Sequence, residues 1–331
     1  MRQQTYCAKR FPLLDEKGKL YRSGWSTGDV FLYNKEELRR GQPRKEWEFY
    51  RLFDRRFSLQ LLWGHAGYVG EVRAELLDLE TGRRWQAGKR QLFPGDSFDT
   101  DFSGGEPHRL KYEDDGFFLM LDCDGEYRRI RCRGSGFDVE LMCPEAGDAL
   151  ATAAALAKKR QFVSQFKRNF PDVRGRIRVG GNEHLIGADS FLFLRSCRGV
   201  FPRESSWFWG SGSARLGEHI LGINLGWGMG RISHCTENVL FWDGEAQKLS
   251  RCRRSSSGDM EHGFLLEDED GRLRLHFTPF YDQRQEKKGL LYRSDLRCLY
   301  GTVSGVVRLA DGSRQTVEEV PFCCEFVKNR W

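Results

Sequence analysis

The sequence predicts a mostly β protein, and its aromatic content, turn dipeptides and alternating segments are the three observations behind that prediction. The 331 residues include 24 Phe, 9 Trp, 10 Tyr and 37 Gly, and aromatic residues are enriched in strands. Asp-Gly pairs recur between segments in which apolar and polar residues alternate, as at Asp124-Gly125 and Asp270-Gly271. This spacing predicts antiparallel meanders that fold into barrels or sandwiches.

The first half of the chain contains two alternating segments. Residues 71–76 read EVRAEL, and Thr81-Gly82 then ends the run. Residues 127–142 follow the Asp124-Gly125 turn with the same period of two. Within them, alternation places Arg129, Arg131 and Arg133 on one face of a strand, which predicts a solvated sheet face rather than a phosphate site.

The second half contains the strongest hairpin signal. Phe264-Leu265-Leu266 precedes the Asp270-Gly271 turn, and Leu273, Leu275 and Phe277 follow it at period two. Residues 301–309 and 315–326 flank a further turn at Asp311-Gly312. The C-terminal half is therefore expected to form an antiparallel meander of its own.

One segment interrupts the β pattern. Ala146 to Lys159 reads AGDALATAAALAKK, and its alanines and leucines predict a short helix that links two β halves. The expected division is an N-terminal domain of residues 1–165, with the helical linker near 146–160, and a C-terminal domain of residues 166–331. Two halves of similar length are compatible with tandem barrels.

The charge and the cysteine pattern exclude several classes of protein. The net charge is +6, from 53 basic and 47 acidic residues that are interspersed, and no nucleic-acid motif accompanies the basic runs, so nucleic acid is not an expected partner. No secretory signal and no apolar run of about 18 residues is present. With ten cysteines and no C-x-x-C pair, the sequence predicts a cytoplasmic protein with reduced thiols and no transmembrane segment.

Metal and cofactor motifs are incomplete. His234-Cys235 and Glu261-His262 belong to no recognised metal-ligand spacing. Gly226–Gly230 reads GWGMG, which is G-x-G-x-G and not the dinucleotide fingerprint, and no P-loop occurs. We therefore expect no metal and no cofactor.

The most unusual segment runs from residue 198 to 244 and contains SWFWGSGS at residues 206–213. On a strand, Trp207 and Trp209 share a face, and the neighbouring glycines let another backbone or a ligand approach closely. The polar residues Asn224 and Glu237 lie among apolar ones. One interpretation is structural, with Arg198 paired to Glu237 and the tryptophans in the core. The other is a ligand cavity with an aromatic wall and a few convergent polar groups.

At these residues the chain resembles the bacterial family catalogued as domain of unknown function 2804, over nearly its whole length. In that family an acidic residue often precedes the Arg-Gly pair, whereas Arg195-Ser196-Cys197 stands there in this chain, which argues against an acid at that position. The resemblance rests on Gly24-Trp25, Tyr33-Asn34, Lys45-Glu46-Trp47, Gly67-Tyr68-Val69-Gly70, Arg198-Gly199, Pro202, Trp207-Phe208-Trp209, Asn224-Leu225-Gly226, Glu237-Asn238, Pro279, Tyr300-Gly301 and Gly305.

The resemblance also has an implication for the fold. The family is similar to the calycin-like superfamily of carotenoid 1,2-hydratases, tocopherol cyclases and cofactor-free Diels–Alderases. This kinship implies two lipocalin-like antiparallel β-barrels packed together, with hydrophobic ligands bound in barrel mouths or between barrels. Kinship of fold does not determine chemistry.

Three functions stay open at this point. The first is a cofactor-free hydratase, cyclase or isomerase that protonates an isoprenoid-like or polyketide-like substrate, with aromatic faces stabilising the cation. The second is a protein that binds a lipid or another apolar molecule without turnover, and the third is a structural or interaction module. The expected site residues are Glu237 as catalytic acid and, as ligand-binding residues, Arg198, Trp207, Trp209, Asn224, Asn238, Glu46 (also the reserve acid) and Trp47.

Overall fold

A computed structural model describes residues 4–39, 42–100, 102, 104–158, 160–229, 235–255, 260–289 and 292–330. Strands dominate these residues, which contain no α-helix and one 3₁₀ turn at Lys35–Glu37. The prediction of a mostly β protein is therefore confirmed. None of the described residues forms a helix that is long and apolar enough to cross a membrane.

The described residues form 25 strands. These are β1 (Phe11–Pro12), β2 (Gly24–Ser26), β3 (Phe31–Leu32), β4 (Arg44–Phe53), β5 (Phe57–His65), β6 (Val69–Asp78), β7 (Arg84–Leu92), β8 (His108–Glu113), β9 (Phe118–Cys123), β10 (Tyr127–Gly134), β11 (Phe137–Pro144), β12 (Leu150–Ala155), β13 (Phe162–Phe170), β14 (Arg174–Val179), β15 (Asn182–Ile186), β16 (Phe191–Val200), β17 (Glu204–Leu216), β18 (His219–Trp227), β19 (Val239–Trp242), β20 (Glu245–Lys248), β21 (Cys252–Arg254), β22 (Phe264–Asp268), β23 (Leu273–Lys288), β24 (Arg293–Arg308) and β25 (Arg314–Arg330).

Three antiparallel sheets contain nearly all of these strands. The eight-stranded sheet has the order β2-β12-β13-β16-β4-β5-β6-β7, and the six-stranded sheet has the order β15-β14-β11-β10-β9-β8. The nine-stranded sheet has the order β20-β19-β18-β17-β25-β24-β23-β22-β21. A parallel pair, β1 and β3, stands apart from them. The first two large sheets use strands up to Val200, and the third uses strands from Glu204 onward.

Alternation along the strands sorts apolar side chains into separate cores. The inner faces of the eight- and six-stranded sheets pack together, with Leu59 and Leu61 in the same cluster as Leu121 and Val139. The nine-stranded sheet curls around a core of its own, in which Ile223, Leu275 and Phe322 meet. In β10, the predicted faces are confirmed, because Ile130 and Cys132 are buried while Arg131 and Arg133 are exposed.

A third apolar cluster lies between the eight- and nine-stranded sheets, and we call it the inter-sheet layer. It joins Phe49 and Phe193 of the first sheet to Trp209, Phe241 and Tyr300 of the second. Burial of one such aromatic side chain contributes roughly 1.5–3 kcal/mol. The layer therefore packs the eight- and nine-stranded sheets against each other. It includes Trp209, and Trp47 and Trp207 pack against it.

The predicted helical linker is wrong. Leu150–Ala155 forms strand β12, which pairs antiparallel with β13 on one side and β2 on the other. Both faces of this strand are covered, and Ala149, Ala151 and Ala153 are buried in the N-terminal core. Small side chains fit between closely packed layers, and strand partners satisfy the backbone on both edges, so tertiary packing overrides the weak helical preference of alanine.

The expected division near residue 165 remains a prediction. Residue 165 lies inside β13, in the middle of the eight-stranded sheet, whereas sheet membership changes between Val200 and Glu204. The ten cysteines are all buried free thiols, as the sequence predicted.

Candidate functional site

A cavity of about 220 Å³ lies between the eight- and nine-stranded sheets, beside the inter-sheet layer. Strands β4, β5, β6, β7 and β16 form one side of this inter-sheet cavity, and β17, β23, β24 and β25 form the other. Half of its lining residues are aromatic, aliphatic or glycine, and the other half are polar or charged, so the site combines apolar walls with many polar groups. Apolar side chains that line it include Trp47, Phe49, Leu62, Trp207, Leu296 and Val327, and polar ones include Gln60, His65, Arg195, Gln285 and Glu325.

Strand β4 supplies one wall through its alternation. Trp47 and Phe49 point into the cavity, whereas Glu46 and Glu48 point to the opposite face and are fully buried. The indole of Trp47 stacks on Phe201 with ring centroids 5.6 Å apart. The predicted ligand-binding residue Trp47 is therefore in the cavity, and its neighbour Glu46 is not among the lining residues.

The two tryptophans of β17 share a face, as predicted, but they differ in access to the cavity. Trp207 lines it, and the buried indole N–H of Trp207 has no hydrogen-bond partner among the described residues. Trp209 is fully buried in the inter-sheet layer, and its N–H donates to Asn224 Oδ1 at 2.6 Å. Only the first indole is therefore available to a ligand.

Gly210 makes room for another side chain. A Cβ at this position would lie 2.7 Å from the ring of Phe322, so the missing side chain accommodates an aromatic ring of the nine-stranded sheet. The sequence signal of close approach was correct, but the approaching group is part of the protein core.

A carboxylate that sequence reasoning missed faces the cavity. Glu325 lines it, and Glu325 Oε1 accepts a hydrogen bond of 2.5 Å from Nη2 of Arg51. The Arg51 guanidinium is fully buried and lies 5.2 Å from the Phe49 ring centroid, 5.1 Å from that of Trp209 and 5.7 Å from that of Tyr300. These three rings hold the cation in place, and the cation in turn positions the carboxylate at the wall.

Glu237, the predicted acid, lies in a second buried ion pair outside the cavity lining. Its carboxylate contacts Nζ of Lys167, and the same Nζ lies 3.4 Å from Asn224 Oδ1. The amide nitrogen of Asn224 donates to the backbone carbonyl of Glu237. Asn224 therefore connects this pair to Trp209.

The electrostatics of Glu237 differ from the sequence expectation. Burial acts to raise the pKa of Glu237, but the charges of Lys167 and Arg195 outweigh it, so that this pKa lies below its ordinary value. Burial lowers the pKa of Lys167 to about 8. The pair is thus a carboxylate and an ammonium at neutral pH, and Glu237 lacks the raised pKa that a neutral acid would need.

Arg195 connects this ion pair to the cavity. It lines the cavity, its guanidinium lies 5.3 Å from the Trp209 ring centroid, and its Nε donates to Gln165 Oε1 at 3.2 Å. Its Nη2 lies 3.3 Å from the sulfur of Met229.

The predicted structural pairing of Arg198 with Glu237 is wrong. Arg198 donates to the backbone carbonyls of Thr100, at 3.0 Å, and Phe102, and it lies over the ring of Tyr33. Arg198 is an odd number of positions from Arg195 on β16, so the two side chains leave opposite faces of the strand. Lys167 of β13 takes the place beside Glu237 instead.

The side-chain amide of Asn238 is hydrogen-bonded to the backbone. Its Oδ1 accepts from the Gly226 N–H at 2.7 Å, and its Nδ2 donates to the Ser250 carbonyl at 2.9 Å. Both groups of the amide are satisfied by backbone, and the side chain does not belong to the cavity lining.

Glu46 belongs to a polar cluster with His65 and Asp99, whose potential ligand atoms lie within 4.8 Å of one another. Nδ1 of His65 accepts from the Gly67 N–H at 3.1 Å, and His65 Nε2 lies 3.3 Å from Asp99 Oδ1. Because Nδ1 is an acceptor, the neutral ring carries its proton on Nε2, which is the nitrogen that a metal would need.

Cations already neutralise this cluster. Arg44 Nε lies 3.2 Å from Glu46 Oε1, and Asp99 contacts both Arg44 and Lys35. These residues fit a hydrogen-bonded ion-pair network better than a metal centre. His234, named above with Cys235, lies outside the described residues.

Comparison with known proteins adds a family and several remote structural similarities. The family model described as "Domain of unknown function (DUF2804)" matches residues 4–331, and no curated protein matches the chain. Kievitone hydratase from Nectria haematococca is similar at 12% identity and a TM-score of 0.47, covering 87% of this chain and 88% of its own.

Two further solved structures are similar over most of their length. A putative AttH from Nitrosomonas europaea has 13% identity and a TM-score of 0.47, covering 88% of this chain and 96% of its own. The structure of CghA with Sch210972 has 10% identity and a TM-score of 0.41, covering 86% and 87%.

Proposed function

This chain belongs to the DUF2804 family, and we propose that it binds an apolar small molecule in the inter-sheet cavity and transfers a proton to or from it without a cofactor. Such a reaction would be a hydration, a cyclisation or an isomerisation. The observation that carries the proposal is the carboxylate of Glu325, which a desolvated Arg51 fixes at the cavity wall, in a cavity that the aromatic side chains of Trp47, Phe49 and Trp207 also line.

We assign the proton transfer to Glu325 rather than to Glu237. A carboxylate bound to a guanidinium is a proton acceptor, so Glu325 would first take a proton from the ligand. That proton would exchange with water in the cavity, and Glu325 would then deliver a solvent-derived proton to another atom of the same ligand. Arg51 occupies one oxygen of Glu325, which leaves the other for the ligand. This order favours isomerisation or cyclisation over the initial protonation of an alkene.

The remaining lining residues supply binding and orientation. Trp47, Phe49 and Trp207 provide apolar surface, and the unpartnered N–H of Trp207 is a donor for an oxygen of the ligand. A hydrogen bond to a buried group of this kind contributes about 0.5–1.5 kcal/mol. Arg195 places a positive charge beside the same wall, which suits an oxygen that gains negative charge when the proton leaves.

Binding without turnover is the second candidate. It is favoured by the fact that Glu325 and Glu237, the two carboxylates considered for the proton transfer, already have a cationic partner. The same walls and the same donor would then hold a ligand that is released unchanged.

We also propose that the protein is cytoplasmic. It is supported by the ten cysteines, all of them buried and free, since such thiols persist in a reducing compartment.

The binding site is tested with ligand capture and a neutral fluorescent probe. Native mass spectrometry of protein purified without denaturation should show a co-purified apolar molecule. N-phenyl-1-naphthylamine should bind, and Trp207→Ala should weaken its binding about tenfold because an aromatic wall is lost. Trp242→Ala is the matched control, since Trp242 packs on His219 away from the cavity.

Two outcomes would count against the proposal. If no molecule co-purifies and the probe does not bind, the chain is a structural or interaction module. If a ligand is captured but takes up no deuterium during incubation with the protein in D₂O, the chain binds without proton transfer to carbon. Deuterium uptake by the ligand is the result that we expect.

A further inference from the structure

The edge of the inter-sheet cavity carries three cations around one carboxylate. Arg73 Nε lies 3.8 Å from Glu71 Oε1, Arg90 Nη2 lies 3.2 Å from it and Lys287 Nζ lies 3.3 Å from it. All four side chains line the cavity, and we call the three cations the basic rim. A single carboxylate balances only one of them.

The charge balance of the whole cavity shows the same surplus. Its lining includes four cationic side chains, the basic rim and Arg195, but only two acidic ones, Glu71 and Glu325. Burial lowers the pKa of Lys287, and the neighbouring positive charges of Arg73 and Arg90 add to this effect. The cations are therefore close enough to repel one another, and a second anion would relieve that repulsion.

The basic rim is assembled from both sheets. Glu71 and Arg73 lie on β6 and Arg90 lies on β7, whereas Lys287 reaches across from β23. Their side chains are between 18% and 40% exposed, so they stand between the buried walls and solvent. A ligand whose apolar part lay against Trp207 would present its opposite end to them.

We propose that the ligand is amphipathic and anionic: its apolar body lies in the inter-sheet cavity, and its acidic group is bound by Arg73, Arg90 and Lys287. The class of ligand is thus an apolar ring system or chain that ends in a carboxylate or a similar acid group. Arginine and lysine side chains bind such groups through charge-assisted hydrogen bonds. This inference rests on the proposed binding site and makes its ligand class specific.

The size of the cavity agrees with this class. About 220 Å³ is below the range of roughly 300–1,000 Å³ that is usual for sites that enclose their ligands. A ligand that extends from the cavity to the basic rim needs less enclosed space. It also keeps its charged end near water, where the cost of desolvation is small.

Two probes with one ring system test the inference. 1-Anilinonaphthalene-8-sulfonate and N-phenyl-1-naphthylamine differ by the sulfonate, so the ratio of their dissociation constants measures recognition of the anion. Arg90→Met and Lys287→Met should each raise the dissociation constant of the sulfonate probe about five- to tenfold, which is the usual range for one charged contact. The dissociation constant of the neutral probe should stay within about twofold of its wild-type value.

The chain offers matched controls on the same two strands. Lys89 follows Gly88 on β7 and leaves the face opposite to Arg90, and Lys288 leaves the face opposite to Lys287. Neither lines the cavity. Lys89→Met and Lys288→Met remove the same charge, so they should leave both dissociation constants unchanged. Thermal unfolding of each variant shows whether it is folded.

The outcomes separate the two proposals. If rim and control variants weaken the sulfonate probe equally, or if no variant changes it, the basic rim does not recognise anions and the inference is wrong, while binding of the neutral probe still supports the cavity. If neither probe binds the wild type, the binding site itself fails and the inference falls with it. Raised salt should weaken only the sulfonate probe.

Discussion

Apart from the partly exposed contact of Lys287 with Glu71, two buried ion pairs connect the eight- and nine-stranded sheets, and they differ in what surrounds them. Arg51 and Lys167 come from the eight-stranded sheet, whereas their partners Glu325 and Glu237 come from the nine-stranded sheet and its connecting segment. Glu325 lines the cavity, but Glu237 is enclosed by protein. Both carboxylates are buried beside a cation, and both ion pairs help to join the two sheets. Of the two, only Glu325 can reach a ligand in the cavity, so only Glu325 is a candidate for proton transfer.

The cations differ as well. Arg51 is held by three aromatic rings and stays charged at any pH that the fold survives. Lys167 is an ammonium whose pKa burial lowers to about 8. Arg51 should therefore keep its charge through the alkaline range in which Lys167 loses its proton.

The largest expected effect is the loss of Lys167. Lys167→Met leaves the carboxylate of Glu237 buried without its main partner, and we expect the free energy of unfolding to fall by about 3–5 kcal/mol. Urea unfolding at pH 7 measures it. The double variant Lys167→Met, Glu237→Gln should recover most of this loss. A loss below about 1 kcal/mol in the single variant would show that the pair is not desolvated as described.

Removal of Arg51 should cost less. In Arg51→Met the partner Glu325 still faces the cavity, where water can hydrate it, so we expect a loss of about 2 kcal/mol, mainly from the hydrogen bond and the ring contacts. The same urea titration applies. A loss as large as that of Lys167→Met would contradict the claim that Glu325 has access to the cavity.

The smallest expected effect is a dependence on pH. The pKa of Lys167 is about 8 in the folded chain, against 10.5 as its ordinary value. Between these values the unfolded chain binds a proton that the folded chain lacks, so the contribution of Lys167 to stability rises with pH.

This contribution is measured as a difference between two proteins. Between pH 8 and pH 9, the free energy of unfolding of the wild type should rise by about 1 kcal/mol relative to that of Lys167→Met. The wild type relative to Arg51→Met should show no change over the same interval. If the difference in unfolding free energy between wild type and Lys167→Met does not change between pH 8 and pH 9, the pKa of Lys167 is not lowered.

The parts of the structure that follow from local patterns could be predicted from the sequence. Period-two alternation determines which side of a strand a residue leaves, and so the shared face of Trp207 and Trp209 followed from their spacing. The same rule applies to Trp47, Phe49 and Arg51 on β4, where one charge interrupts an apolar face. That interruption was the available signal for a buried cation.

The parts that depend on distant pairing could not be predicted. Arg51 and Glu325 are 274 positions apart, and nothing local connects them. The choice of Lys167 rather than Arg198 as the partner of Glu237 depends on which face of the eight-stranded sheet meets the nine-stranded sheet, because Lys167 and Arg195 share that face and Arg198 leaves the other one. The alanines of β12 have helical composition, and only their pairing with β2 and β13 makes them a strand.

The most direct test compares the two carboxylates in one isotope experiment. The co-purified ligand is incubated in D₂O with wild type, with Glu325→Gln, and with the double variant Lys167→Met, Glu237→Gln, and its mass is then measured. We predict deuterium uptake with wild type and the double variant and none with Glu325→Gln, although Glu325→Gln still binds the ligand. Uptake that survives Glu325→Gln and disappears in the folded double variant would contradict this account and return the proton transfer to Glu237.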